Sequence, residues 1–320
     1  MKNFTNFLAG TPPGRSGGPF GRRPERRRAG AHTRCQSEAQ APGETGEAPE
    51  KGNCVITTDF VPGSPCWLDL GAPDIDAAAA FYGAVFGWQA RAFDQETSSY
   101  KSFQLDGKVV GAVGQLTEEG ARPAWTVYFH TPDIDSTVKA VEQAGGSVRT
   151  PPSEVSDEGR FAQLTDPQGA QFAVWQPGSY PGIQLADAPG SLGWVELYTT
   201  DSTAAQTFYG TIFGWSGQDM ELPGDGGTYT MVTPKDQPAE RMFGGIMAVP
   251  QMFSSGENRP YWHPVFGTAD CDATVALVRE KGGSVSMGPE DAEGVGRLAV
   301  CDDPAGAEFV VLTPSPAPTS

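Results

Sequence analysis

The chain has 320 residues, 38% hydrophobic and 10% aromatic, with 41 Gly and 28 Pro; this length suits about two domains, and so many turn formers favour a β-rich architecture over a helical bundle. The net charge is −17, yet residues 1–54 hold nine basic and five acidic side chains, so the remaining 266 carry 13 basic and 34 acidic ones. A body that acidic repels phosphate backbones, which argues against nucleic acid as a partner.

No run approaches ~18 consecutive apolar residues, so no transmembrane helix and no membrane partner are expected. Five Cys without CxxC spacing do not make a disulfide framework; reduced cysteines in a cytoplasm fit best. Residues 1–54, rich in Pro, Gly, Arg and Glu, lack hydrophobic periodicity. They read as a disordered extension, or as one upstream of a true start near Val55.

The folded part then opens with "GSPCWLDLGAPDIDAAAAFYGAVFGW" (63–88), which returns as "GSLGWVELYTTDSTAAQTFYGTIFGW" (190–215) at an offset of 127. Between them lies "PAWTVYFHTPDIDSTVKAVEQAGGSV" (123–148), which returns as "PYWHPVFGTADCDATVALVREKGGSV" (260–285) at an offset of 137. The chain is thus four modules in the order A, B, A′, B′. Each opens with a short alternating strand. Asp74, Asp76, Asp133, Asp135, Asp201, Asp270 and Asp272 supply helix-start chemistry, and Gly87, Gly145, Gly214 and Gly282 mark the helix ends. Short strands follow, with hairpins at "DPQG" and "DPAG". The expected fold class is α+β: four βαβββ modules paired into two domains, 55–185 and 186–314, joined by a linker at 176–190, with a tail at 315–320.

Alternation assigns the faces. Leu68 and Leu70 pack under a helix, which turns Trp67 and Asp69 to the opposite face of the sheet, with Thr126, Tyr128 and His130 on that face from module B. The matching face of the second domain carries Trp194, Glu196, Tyr198 and His263. Each of these faces therefore gains an aromatic wall, a carboxylate and a His. Such a set can bind a polar ligand, satisfy itself as a buried structural pair, or do acid–base work, and Glu196 with His263 is the candidate catalytic pair. The Met-rich second half (Met220, Met231, Met242, Met247, Met252) suits a bulky apolar ligand or plain core filling. No P-loop, GxGxxG, GxSxG or HExxH motif is present.

The Asp-led helix ending "FYGAVFGW" and the closing "DPQGAQFAVWQP" resemble the vicinal oxygen chelate superfamily of glyoxalase I, bleomycin-resistance proteins and extradiol dioxygenases. Within it, the four-module order with "PGSPCWLDLGAPD" is similar to actinobacterial tandem glyoxalase-like proteins, among them a mycobacterial culture-filtrate antigen and proteins labelled hydroxylases. The resemblance covers roughly residues 55–314. It implies glyoxalase-like domains whose open curved sheets each enclose a cleft lined by the faces just described and, in the enzymes, a divalent metal held there from an opening strand and a closing strand. The opening-strand positions here are Trp67, Thr126, Trp194 and His263, and the closing-strand positions are Ala173 and Val310. Only His263 can ligate a metal, and about three protein ligands are usual.

No cofactor is therefore expected, a divalent metal at His263 being the disfavoured alternative. The expected function is binding of an aromatic or polyketide-like small molecule, in a cytoplasmic protein with a partner enzyme of secondary metabolism. The alternative is an enzyme of the glyoxalase, dioxygenase or hydroxylase type.

Overall fold

A computed structural model describes residues 56–93, 99–116, 120–222, 227–249 and 259–315. The 1–54 extension, Met252 and all but the first residue of the 315–320 tail lie outside the described residues.

Module A runs β1 (Pro65–Ala72), α1 (Ile75–Phe86), β2 (Gln89–Ala92), β3 (Tyr100–Leu105) and β4 (Lys108–Gln115). Module B runs β5 (Ala124–His130), α2 (Ile134–Gln143), β6 (Ser147–Val155), β7 (Gly159–Thr165) and β8 (Gln171–Pro177). Module A′ repeats this as β9 (Leu192–Thr199), α3 (Ser202–Phe213), β10 (Ser216–Glu221), β11 (Thr228–Thr233) and β12 (Gly244–Ala248). Module B′ closes with β13 (Tyr261–Gly267), α4 (Cys271–Glu280), β14 (Ser284–Ala292), β15 (Gly296–Asp302) and β16 (Glu308–Pro314). The four βαβββ modules of the sequence are all present.

Helix starts follow the sequence chemistry. The carboxylates of Asp74, Asp133, Asp201 and Asp270 accept from the backbone N–H three residues on, satisfying a donor that the first turn leaves open. Gly87 and Gly214 end α1 and α3 at φ 75° and 72°, a left-handed conformation that any Cβ would strain.

The strands assemble into two eight-stranded sheets, β2-β3-β4-β1-β5-β8-β7-β6 and β10-β11-β12-β9-β13-β16-β15-β14. In each, the opening strands of the paired modules lie side by side and antiparallel at the centre, with Asp69 opposite Thr126 in the first sheet and Glu196 opposite His263 in the second. One face of each sheet joins a single continuous core that includes Leu68, Leu70, Val127, Phe129, Val195, Leu197, Phe266 and Phe309. The opposite faces carry Trp67, Asp69 and Thr126 in the first sheet and Trp194, Glu196 and His263 in the second, the residues expected to line the clefts. Among the described residues no helix is long and apolar enough to cross a membrane.

Candidate functional site

In the first cleft the structure brings Trp67, Asp69 and Tyr128 together and adds Tyr100 from β3. Asp69 Oδ1 accepts from Trp67 Nε1 at 2.8 Å and from the Tyr100 hydroxyl at 2.5 Å, while Oδ2 accepts from the Tyr128 hydroxyl at 2.7 Å. Burial raises the Asp69 pKa, and these three donors work against that shift. A carboxylate surrounded this way is satisfied by its own cleft.

His130 does not join this cluster. Asp69 stands opposite Thr126, and His130 lies four steps further along β5 at about 3.3 Å per step. His130 instead lines a cavity of about 210 Å³ at the junction of the two domains, with Gly63, Thr131 and Phe213. Its pKa is lowered by burial, so the ring is neutral near pH 7. The expectation of one carboxylate–histidine pair per cleft is thus corrected for the first cleft.

The second cleft carries the denser chemistry, and all four expected residues meet there. Trp194 Nε1 donates to the Tyr229 hydroxyl at 2.7 Å, and that hydroxyl donates to Glu196 Oε1 at 2.7 Å. Glu196 Oε2 lies 3.0 Å from His263 Nε2 because β9 and β13 place the two residues directly opposite. The other ring nitrogen, Nδ1, lies 2.7 Å from Glu308 Oε1, which also accepts from the Tyr261 hydroxyl at 2.8 Å. Tyr198 packs edge-on against the imidazole with ring centroids 4.6 Å apart.

His263 is 1% exposed, while the Glu196 and Glu308 side chains are 16% and 25% exposed. Burial alone would lower the histidine pKa. The hydrogen bonds and charges of Glu196 and Glu308 outweigh it and push the value up to about 9. Around neutral pH His263 is therefore an imidazolium held between the side chains of Glu196 and Glu308.

Glu308 was not among the candidates, since the resemblance pointed to Val310. Both residues sit on β16, two apart and hence on one face, and Val310 pairs with Val265 while Glu308 reaches His263. The available signal was this parity, applied along the whole closing strand. The 137-residue offset explains why the first cleft lacks the array: Thr126, Gln171 and Ala124 stand where the second has His263, Glu308 and Tyr261.

This donor set does not fit the divalent metal that the fold implies. Both nitrogens of His263 are taken by hydrogen bonds to acidic side chains, Nε2 to Glu196 at 3.0 Å and Nδ1 to Glu308 at 2.7 Å, so neither points at an open position shared with other donors. Among the described residues, no group of three or more His, Cys, Asp or Glu is disposed to hold a metal ion. The aromatic residues of the array belong to two apolar clusters, Trp194 with Met231, Met242 and Val265, and Tyr198 and Tyr261 with Met247 and Val249.

Comparison with known proteins agrees with this architecture. The profile of the glyoxalase/bleomycin resistance protein/dioxygenase superfamily matches residues 66–174, and that of a glyoxalase-like domain matches residues 194–312. The chain is 40% identical over 270 residues to the anthracycline biosynthesis protein DnrV of Streptomyces peucetius, covering 80% of this chain and 94% of that one. It is 34% identical over 267 residues to CFP32 of Mycobacterium tuberculosis, covering 81% and 98%. Among solved structures, 2,2′,3-trihydroxybiphenyl 1,2-dioxygenase from Sphingomonas wittichii has a similar fold, with TM-score 0.56 and 14% identity over 79% of this chain and 91% of that one.

Proposed function

The chain belongs to the glyoxalase/bleomycin resistance protein/dioxygenase superfamily, and from that premise we propose that its second cleft binds an aromatic or polyketide-like metabolite without a metal. The observation that carries this reading is the Glu196–His263–Glu308 array. A histidine held as a cation by two carboxylates is not a free base at neutral pH, so it organises the cleft rather than removing protons from a ligand. Trp194, Tyr198, Tyr229 and Tyr261 give the aromatic surface that small-molecule sites combine with a few placed polar groups. The similarity to an anthracycline biosynthesis protein supports a polycyclic aromatic ligand and a role beside a partner enzyme of secondary metabolism.

A second reading is an acid–base enzyme centred on Glu196 and His263, favoured by their 3.0 Å contact. Two measurements separate the readings. Titration of the purified full chain with dihydroxyanthraquinone, followed by tryptophan quenching, should saturate, and Glu196→Gln should weaken it by about three- to tenfold, one hydrogen bond's worth, with no turnover. Plasma mass spectrometry of the dialysed protein should find no stoichiometric transition metal. Near-stoichiometric metal that disappears in His263→Ala would replace the proposal with a metalloenzyme.

A further inference from the structure

We propose that the second cleft selects an aromatic ligand carrying a protonated amine, with the ammonium group seated on Glu308 beside Tyr198 and Tyr261. This rests on the reading above that the cleft takes an aromatic molecule, and it adds the ligand's charge.

The inference starts from what each group shows to an incoming molecule. The one cation of the array, His263, is 1% exposed and turns both nitrogens to carboxylates. A ligand therefore meets the carboxylates and not the imidazolium. Two acidic side chains flank one histidine, so the three residues hold an excess of acid over base even when the imidazole is protonated. Glu308 is the more open of the two acids, and both hydrogen bonds that its side chain accepts among the described residues fall on Oε1. Oε2 is left for a donor from the ligand.

The surroundings suit the same chemistry. The Tyr198 and Tyr261 rings meet edge to face with centroids 5.8 Å apart, and both pack against His263. Tyr198 lies close enough to Glu196 and Glu308 that their charges add to the effect of burial in raising its pKa. Its hydroxyl makes no hydrogen bond among the described residues, so it stays a neutral donor and acceptor at the cleft. Aromatic faces beside a carboxylate are the usual setting for an organic ammonium ion, and a carboxylate ligand there would meet like charge. The first cleft has no such preference: Gln171 replaces Glu308, Gly71 replaces Tyr198, and Asp69 is already enclosed by three donors.

Three probes with one ring system test this on the full chain near neutral pH: aminomethylanthracene, hydroxymethylanthracene and anthracenecarboxylate, titrated by fluorescence. The amine should bind about tenfold tighter than the alcohol, the span of one charge-assisted hydrogen bond, and the carboxylate should bind weakest. Added salt should weaken the amine and leave the alcohol nearly unchanged. In Glu308→Gln the ratio of amine to alcohol affinity should fall toward one. Should that variant not fold, the wild-type ranking and its salt dependence still decide. Alcohol binding as tight as amine binding would overturn the charge preference while leaving the aromatic reading intact. Binding of none of the three would overturn the aromatic reading and this proposal with it.

Discussion

His263 is buried, charged and bonded on both sides, and this makes it a pH-dependent brace for the second sheet. Its folded pKa of about 9 stands above the roughly 6.5 of an unfolded chain. A raised pKa contributes stability that is fully present below about pH 6.5 and is lost as pH rises through about 9. For two and a half units the span is of the order of 3 kcal/mol. Other groups load different windows. Burial lowers the His130 pKa, which acts below about 6.5, and buried Cys66, Cys271 and Cys301 have raised thiol pKa values that act above about 8.5. Urea midpoints measured between about pH 6.5 and 8 should therefore fall in the wild type and stay nearly flat in His263→Gln. That variant should also be less stable by about 3 kcal/mol near neutrality, because it leaves two partly buried carboxylates without their cation. A wild-type midpoint that does not move across this window would show that His263 is neutral in the folded protein.

At the scale of the strand, β12 shows how one missing Cβ positions the site. Gly245 pairs with Glu196, and a Cβ at that position would come within 2.0 Å of Tyr229 Cζ and Oη. The Tyr229 ring lies over the glycine, and from there its hydroxyl reaches Glu196. In the first sheet the corresponding residue is Ala112, opposite Asp69, and Tyr100 packs over Gly114 instead. Gly245→Ala should therefore displace Tyr229, break the Trp194–Tyr229–Glu196 relay and cost about 2 kcal/mol in a denaturant titration, whereas Ala112→Gly should leave the Asp69 cluster in place. The elements themselves were legible in the sequence. The two repeat offsets fixed four modules, and the four capping Asp residues marked where each helix begins. The site was legible only in part, because period-two alternation reports a side chain's face and not its position along the strand. Parity put Glu196 and His263 on one face, where the structure has them in contact, and put His130 on the face of Asp69, which it does not reach. It also left Glu308 unnoticed, since the resemblance directed attention two residues further along the same face.

The whole molecule is less modular than its repeats suggest. The "FYGxxFGW" helices read as if each packed on its own sheet, and an aromatic stripe fits either sheet equally well, so the sequence could not show that they are shared. In the structure, Tyr82 of α1 accepts from Trp125 of its own sheet and donates to Asp303 Oδ2 of the other domain at 3.3 Å. Tyr209 of α3 mirrors it, accepting from Trp262 and donating to Asp166 Oδ2 at 3.2 Å. The tryptophans that follow the helices cross as well: Trp88 Nε1 donates to Gly190 O at 2.7 Å and Trp215 Nε1 to Gly63 O at 2.9 Å. These bonds sit inside aromatic packing that spans both halves, with Phe86 against Phe266 and Phe129 against Trp262. Separating the halves would expose that packing and leave buried donors and carboxylates unpaired, each at a cost of about 1–3 kcal/mol. Each half is therefore expected to depend on the other for its stability, although independent unfolding is the common outcome for two-domain chains. Calorimetry should accordingly give one transition whose van't Hoff and calorimetric enthalpies agree, and residues 55–185 expressed alone should lack a cooperative melt. Two resolved transitions, or a folded fragment, would mean that the crossed tyrosines and tryptophans join domains already stable by themselves.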